Sequence, residues 1–388
     1  MDVHHVEEPP SVSLDPDELM ARAWEAATDR ECRPLRFLPS LQRLTEVIEA
    51  EARLTLAGRR QLRDALVSHL ATQIQANRLM EAHPEIGQAP ISAPIIITGL
   101  PRTGTTALHN MLAEHPHLRA PRLWELMAPA APASRGGRAM LIQFARRYVD
   151  QYYAAVPAFR ILHPLNALRP DECHRLTGTT FRSDIYAQRF RVPSYLTWLR
   201  GQDMVEVYQY HRTLLSCLLW RRTGENVLLK CPTHLWHLDA LAAVYPDARV
   251  VRLHRDPMSC IPSACSLTAV VRSASATEVD KAEIGRHWLD YASEGLSRQR
   301  KDEGSVPGIR ILDVRQRDLL AEPLSIVSLV CDFAGIPMTA AARDRIGRYV
   351  QDNPAGKHGV HRFSLADFDL DPTDIERRFS DYRAEFGV

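Results

Sequence analysis

Residues 94–114, PIIITGLPRTGTTALHNMLAE, constrain the fold more than any other stretch of this 388-residue chain. Three isoleucines and Thr98 form a β-branched run that ends in Gly99. Such residues are stiff at χ1 and favour strands. A loop carries Pro101, Arg102, Thr103, Gly104, Thr105 and Thr106, and a helical pattern then begins. A strand, a glycine loop and a helix in that order aim backbone N–H groups and the positive end of a helix dipole at one point, which makes an anion cradle. Gly99 and Gly104 have the spacing of the Walker A loop, G-x-x-x-x-G-K-[ST], but Thr105 stands where that motif has lysine. The loop's cation is Arg102 instead. Its displacement argues against an ordinary ATPase or kinase and points to another phosphoryl-like group. A divergent P-loop nucleotide or small-molecule kinase is the alternative reading.

Beyond the loop the pattern alternates. Apolar runs at 227–230, 249–254 and 309–313 read as strands, with a short extended piece near Leu118. Helical patterns follow near 104–115, 235–244 and 257–271. Alternation of this kind predicts an α/β fold, a P-loop-like parallel β-sheet flanked by helices. Ligands of such sheets bind beyond the carboxyl ends of the strands. Arg102, Lys230 and Arg255 each fall at or just past such an end, so three cations from distant parts of the chain are expected at one edge. Residues 1–90 read as an N-terminal helical extension, with Asp15 or Asp17 as its first cap and an amphipathic run from Leu62 to Leu79. Pro84, Gly87, Pro90 and Pro94 mark the linker to a main domain at 91–388, which carries a long helical insertion near 136–223.

Hydrophobic content of 45% and charged content of 24% are those of a soluble globular chain. A net charge of +1 gives no whole-surface attraction for nucleic acid. The first ten residues, MDVHHVEEPP, lack the apolar stretch of a secretory signal. No run approaches the roughly 18 apolar residues of a membrane span. The expectation is a cytoplasmic protein without a transmembrane segment, with peripheral contact to the inner membrane face left open. Seven cysteines without a C-x-x-C pair read as reduced, buried hydrophobes.

Several motifs in order resemble one family. Gly-Leu-Pro-Arg-Thr-Gly-Thr-Thr (99–106) is similar to the 5′-phosphosulfate loop of sulfotransferases that use 3′-phosphoadenosine-5′-phosphosulfate, commonly Pro-Lys/Arg-x-Gly-Thr-Thr. His-Arg-Asp-Pro (254–257), with Ser263 eight residues after Arg255, resembles the family's 3′-phosphate motif. Lys230-Cys231-Pro232-Thr233-His234 is similar to the Lys-Ser-Pro-Thr-His segment of the bacterial branch. Residues 313–320 and 357–371 resemble its late strand-to-helix segment and its closing loop.

The resemblance implies the sulfotransferase fold over about 94–388 and transfer of a sulfuryl group to the hydroxyl of a lipophilic acceptor. An ω-hydroxylated dihydromenaquinone is one candidate acceptor. Pro101, Arg102, Thr103, Gly104, Thr105 and Thr106 would hold the phosphosulfate. Arg255 and Ser263 would hold the 3′-phosphate, and Lys357, His358 and Gly359 would complete that pocket or form a surface loop. Lys230 would meet the transferring group, and Arg102 would neutralise charge growing on the bridging oxygen. The acceptor must lose a proton to a base within hydrogen-bond reach. Glu125, just past the second extended segment, is the first choice. His234 is the second, although it lies four residues after Lys230 where the histidine-using branch has two. Glu172 and His174 form a third constellation, read as structural with acceptor contact as the alternative. Asp313 is read as structural. No metal is required, because a sulfuryl group carries less charge than a phosphoryl group. Trp124, Tyr148, Tyr152, Tyr153, Phe159 and Trp198 fall in or just before the helical insertion; most read as ordinary core, and the quinone resemblance implies that some line an apolar channel.

Overall fold

The computed structural model describes residues 12–28, 35–131, 135–220, 226–302, 308–354, 357 and 363–388. Three α-helices precede the first strand: Pro16–Ala26 (α1), Leu38–Glu51 (α2) and Leu56–Ala82 (α3). Asp15 caps α1 by accepting from the N–H groups of Asp17 and Glu18 at 3.0 and 3.1 Å. Ile95–Gly99 (β1), Thr105–Leu112 (α4) and Leu118–Arg119 (β2) follow. A helical passage comes next: Leu123–Leu126 (α5), Arg135–Ala155 (α6), Phe159–Leu162 (α7), His174–Thr177 (α8), Ile185–Arg189 (α9), Pro193–Leu199 (α10) and Met204–Leu219 (α11). Asn226–Lys230 (β3), Leu238–Val244 (α12) and Arg249–His254 (β4) resume the alternation. Pro257–Ser273 (α13), Lys281–Asp302 (α14) and Arg310–Arg315 (β5) come after them. Gln316–Ala321 (α15), Pro323–Ala334 (α16), Ala340–Asp352 (α17) and Pro372–Phe386 (α18) complete the described helices.

The strands form one parallel sheet in the order β2-β3-β1-β4-β5. β1 is central and buried along its whole length, as a strand covered on both faces must be. In register, Ile96 lies beside Leu229 and Val250, while Ile95 lies beside Leu228 and Ile97 beside Val251. Side chains alternate across a strand, so each set feeds a different core. Ile96, Leu229 and Val250 pack with Leu41 of α2, Leu66 of α3, Leu214 of α11 and Ile261 of α13. Ile95, Ile97, Leu228 and Val251 pack with Leu108 and Leu112 of α4 and Val327 and Val330 of α16. The N-terminal helices therefore share a core with one face of the sheet. Ile96 is 1% exposed, and cutting it to alanine would cost roughly 2–5 kcal/mol.

β5 runs to Arg315, two residues past the expected end at Asp313. The register places Asp313 beside Arg252 of β4. Arg252 donates to both its carboxylate oxygens, at 2.6 and 3.0 Å, and His254 Nε2 lies 2.7 Å from Oδ1. That pairing lets an acidic residue sit inside the strand. Burial raises the Asp313 carboxyl, but His254 and Arg252 outweigh it and hold it at about 2.

Candidate active site

The loop after β1 turns on three residues with left-handed backbone. Gly99 has φ +142°, and a Cβ there would stand 2.5 Å from the Leu253 carbonyl oxygen of β4. Only glycine fits so close a backbone approach. Arg102 has φ +73° and Gly104 φ +95°. Thr103 Oγ1 ties the turn by donating to the Leu100 carbonyl at 2.7 Å. The chain then enters α4 at Thr105, so the helix N-terminus faces the space above the loop.

The left-handed conformation costs Arg102 about 1–2 kcal/mol. Its neighbours hold it there. Arg255, just past β4, donates from Nη1 to the Arg102 carbonyl at 2.8 Å. The Arg102 side chain donates from Nε to Ser263 Oγ of α13 at 3.1 Å and from Nη1 to the Leu162 carbonyl of α7 at 2.7 Å. Arg102 of the first loop and Arg255 and Ser263 of the β4–α13 segment thus form one contact group. Among the described residues neither arginine has a carboxylate partner. Burial, with the Arg255 charge second, pushes Arg102 below its ordinary pKa. The Arg255 guanidinium thus bonds the Arg102 backbone and lies close enough for the two charges to repel, an arrangement that an anion would relieve.

Lys230 ends β3 on the other side of the loop and is 2% exposed. Its Nζ donates to Thr106 Oγ1 of α4 at 3.1 Å and to Glu172 Oε1. The Cys173 N–H donates to the Lys230 carbonyl at 3.0 Å and seats the acid beside the strand end. His174 Nδ1 lies 3.2 Å from Glu172 Oε2, and His163 Nε2 lies 4.0 Å from Oε1. Burial alone would raise the Glu172 carboxyl, but the Lys230 ammonium and His174 hold it well below the usual carboxylate range. Burial pushes His163 down to about 4, so it is neutral at pH 7. Ligand atoms of Glu172, His174 and Cys231 all lie within 4.8 Å of one another. Of these three, Glu172 is already paired with the Lys230 ammonium, and burial pushes the Cys231 thiol up to about 12.

Glu125 stands at the third position of α5. It accepts from Arg119 Nη2 at 2.5 Å and from the Arg122 N–H at 2.9 Å, so both its oxygens are engaged. It borders a cavity of about 310 Å³ lined also by Arg119, Arg122, Arg138, Arg169 and Arg345. His234 sits in the turn Pro232–Trp236 and is 1% exposed. Its Nδ1 lies 2.6 Å from the Tyr208 hydroxyl, and burial holds its pKa well down. Lys357 bonds the Asp352 carbonyl at 2.8 Å and Asn353 Oδ1 at 3.1 Å. His358 and Gly359 lie outside the described residues.

The aromatic residues of the insertion separate into groups. Tyr148, Tyr152, Phe159 and His163 form a continuous file, with successive ring centroids 6.1, 4.7 and 5.5 Å apart. The file ends at the His163 ring beside Glu172. Trp198 instead packs on Tyr195 at 5.4 Å, and Tyr153 bonds the Leu165 backbone. The contacts of Leu162 and His163 with the site have no counterpart in the motifs. For Glu172 the signal was its closeness to His174 in the run Asp171-Glu172-Cys173-His174.

Comparison with known proteins follows the same lines. The sequence profile described as the Sulfotransferase family matches residues 94–340. The omega-hydroxy-beta-dihydromenaquinone-9 sulfotransferase Stf3 of Mycobacterium bovis is 24% identical over 286 residues, covering 70% of each chain. The crystal structure of sulfotransferase STF1 from Mycobacterium tuberculosis is 29% identical, with a TM-score of 0.84 over 96% of this chain and 100% of that one. Sulfotransferase STF9 from Mycobacterium avium is 22% identical and superposes with a TM-score of 0.86 over 100% of this chain and 99% of that one, a likeness of fold.

Proposed function

The chain belongs to the sulfotransferase family, and from that premise we propose that it transfers a sulfuryl group from 3′-phosphoadenosine-5′-phosphosulfate to the hydroxyl of a lipophilic alcohol. The observation that carries this reading is the pairing of Arg102 with Arg255, two cations without a carboxylate partner among the described residues. A nucleotide with anionic groups at both its 5′ and 3′ positions matches them. Thr105 in place of the Walker lysine favours such a donor over a nucleoside triphosphate.

In this reading the N–H groups of the 103–106 turn and Arg102 hold the phosphosulfate, while Arg255 and Ser263 hold the 3′-phosphate. The bound donor supplies an S–O bond with an adenylate leaving group. Arg102 stabilises charge on that leaving oxygen but keeps its own proton. Lys230 reaches the same space past Thr106. The base we assign is Glu172, because its partner Lys230 also bonds Thr106 of the cradle, whereas the partners of Glu125 are Arg119 and the Arg122 N–H, neither of them a cradle residue. When Lys230 turns toward the sulfuryl oxygens, Glu172 loses the charge that lowers its pKa. Burial, which raises it, is then opposed by His174 and His163 without the Lys230 charge, so the carboxylate becomes a stronger base than in the paired state. The acceptor oxygen forms the new O–S bond, its proton passes to Glu172, and the old S–O bond breaks toward the adenylate.

The packed aromatic rings from Tyr148 to His163 give the segment beside Glu172 an apolar character that favours a lipophilic acceptor. An ω-hydroxylated dihydromenaquinone is the acceptor we propose to try first, on the likeness to Stf3. Incubation with ³⁵S-labelled donor and a panel of alcohols tests the reading. Label should move to a long-chain alcohol, and failure to bind the donor in calorimetry would overturn the proposal.

A further inference from the structure

Six large hydrophobic residues are exposed among the described residues, and four of them lie between 140 and 168. Met140 is 63% exposed, Phe144 49%, Ile161 40% and Leu168 38%. Residues four and seven apart share a helix face, so Met140, Phe144 and Arg147 project together from α6. Ala145 and Val149, on its other side, are buried. The charge of this segment is one-sided. Residues 136–168 carry Arg138, Arg146, Arg147 and Arg160 against the single acid Asp150, while the whole chain has a net charge of only +1. Arg138 lies over the Trp124 ring at 5.5 Å and Arg160 over Tyr153 at 4.6 Å. The inner side of the same segment reaches the site. Arg102 bonds the Leu162 carbonyl, His163 lies 4.0 Å from Glu172, and the aromatic file connects α6 to both.

We propose that α6 and α7 form a docking surface for an anionic membrane, through which a lipophilic acceptor passes to Glu172 and Lys230. The passage of the acceptor rests on the sulfuryl-transfer reading; the docking does not. Apolar side chains on a basic helix enter the headgroup boundary, and arginines near an anionic surface each strengthen the attachment. No helix among the described residues is long and apolar enough to cross a membrane, so the contact lies at the interface.

The full chain is sedimented with vesicles of phosphatidylcholine alone or mixed with phosphatidylglycerol, and transfer to a short water-soluble alcohol is measured alongside. The protein should bind the anionic vesicles, and added salt should weaken the binding. The Met140→Asp/Phe144→Asp double variant should lose about tenfold or more in vesicle partition and keep transfer to the soluble alcohol. The Leu320→Asp/Leu329→Asp variant, on the other exposed apolar residues, should bind as the unaltered protein does. Equal partition of both double variants would overturn the proposal. A dimer that the first variant splits, with no vesicle binding, would overturn it in favour of a second copy. Transfer without vesicle binding overturns the docking surface alone. Vesicle binding without transfer to the soluble alcohol or to a long-chain alcohol carried in the vesicles supports the surface and overturns the proposed reaction.

Discussion

Replacing Glu172 with glutamine removes one charge and almost no volume, and the consequences separate into three measurements. Lys230, 2% exposed, would be left as a buried cation without its carboxylate. Breaking a buried pair in this way costs about 3–5 kcal/mol, and the glutamine oxygen recovers part of it, so about 3 kcal/mol is expected. An unfolding entropy of about 2.1 cal/mol/K per residue comes to roughly 0.8 kcal/mol/K for 388 residues. The melting temperature should therefore fall by about 4 °C. An anion at the cradle would supply the missing negative charge. Adenosine 3′,5′-bisphosphate should then stabilise Glu172→Gln at least as strongly as the unaltered protein. Turnover should fall about 10²–10⁴-fold, the usual contribution of a positioned base. The assay is transfer of labelled sulfate at saturating donor, with thermal melts run with and without the bisphosphate. Turnover within about threefold of the unaltered enzyme would refute the assignment of the base, whatever the melting temperature does.

Arg255→Ala should weaken binding of adenosine 3′,5′-bisphosphate by about 2–4 kcal/mol in calorimetry, because a phosphate loses its charged fork. Unchanged affinity would place the 3′-phosphate elsewhere. Glu125→Gln should destabilise the fold by about 2–4 kcal/mol through loss of the Arg119 pair, while the folded enzyme keeps its turnover. A fall as deep as that of Glu172→Gln would return the base to Glu125. Burial holds His69, His109 and His287 near a pKa of 3 and His163 and His211 near 4. The unfolded chain takes up protons at about 6.5, so stability is fully present above that pH. It should fall toward pH 4 by up to about 1.4 kcal/mol per pH unit for each histidine that stays neutral. Equal urea midpoints at pH 7.5 and pH 5 would contradict this.

The cradle could be read from the sequence because a β-branched run, two glycines and a helix start are local features. The approach of Arg102 and Arg255 followed from the rule that parallel strands deliver their ends to one edge, whereas Ser263 was named only through the family resemblance. Lys230 fitted the same rule, since an ammonium at the end of an apolar strand needs an anion nearby. Which anion it meets first was not legible. Glu172 reaches Lys230 across 58 residues of mostly helical chain, and no local periodicity reports how that passage folds back. Glu125 drew attention because it follows the second extended segment. Its partner Arg119 is only six residues away and competes for the carboxylate locally. Asp313 was read as a structural residue closing the last strand, but that β5 runs on past it to Arg315 depends on its pairing with Arg252 and His254 of the neighbouring strand. The file of rings from Tyr148 to His163 likewise needed the angle between α6 and α7.

A crystal structure with adenosine 3′,5′-bisphosphate bound tests the account most directly. The 5′-phosphate should lie over the 101–106 turn at the start of α4, and the 3′-phosphate should lie within hydrogen-bond reach of Arg255 and Ser263. Lys230 and Glu172 should then face the position from which the sulfuryl group departs. A nucleotide bound away from that turn, or one whose 3′-phosphate meets neither Arg255 nor Ser263, would contradict it.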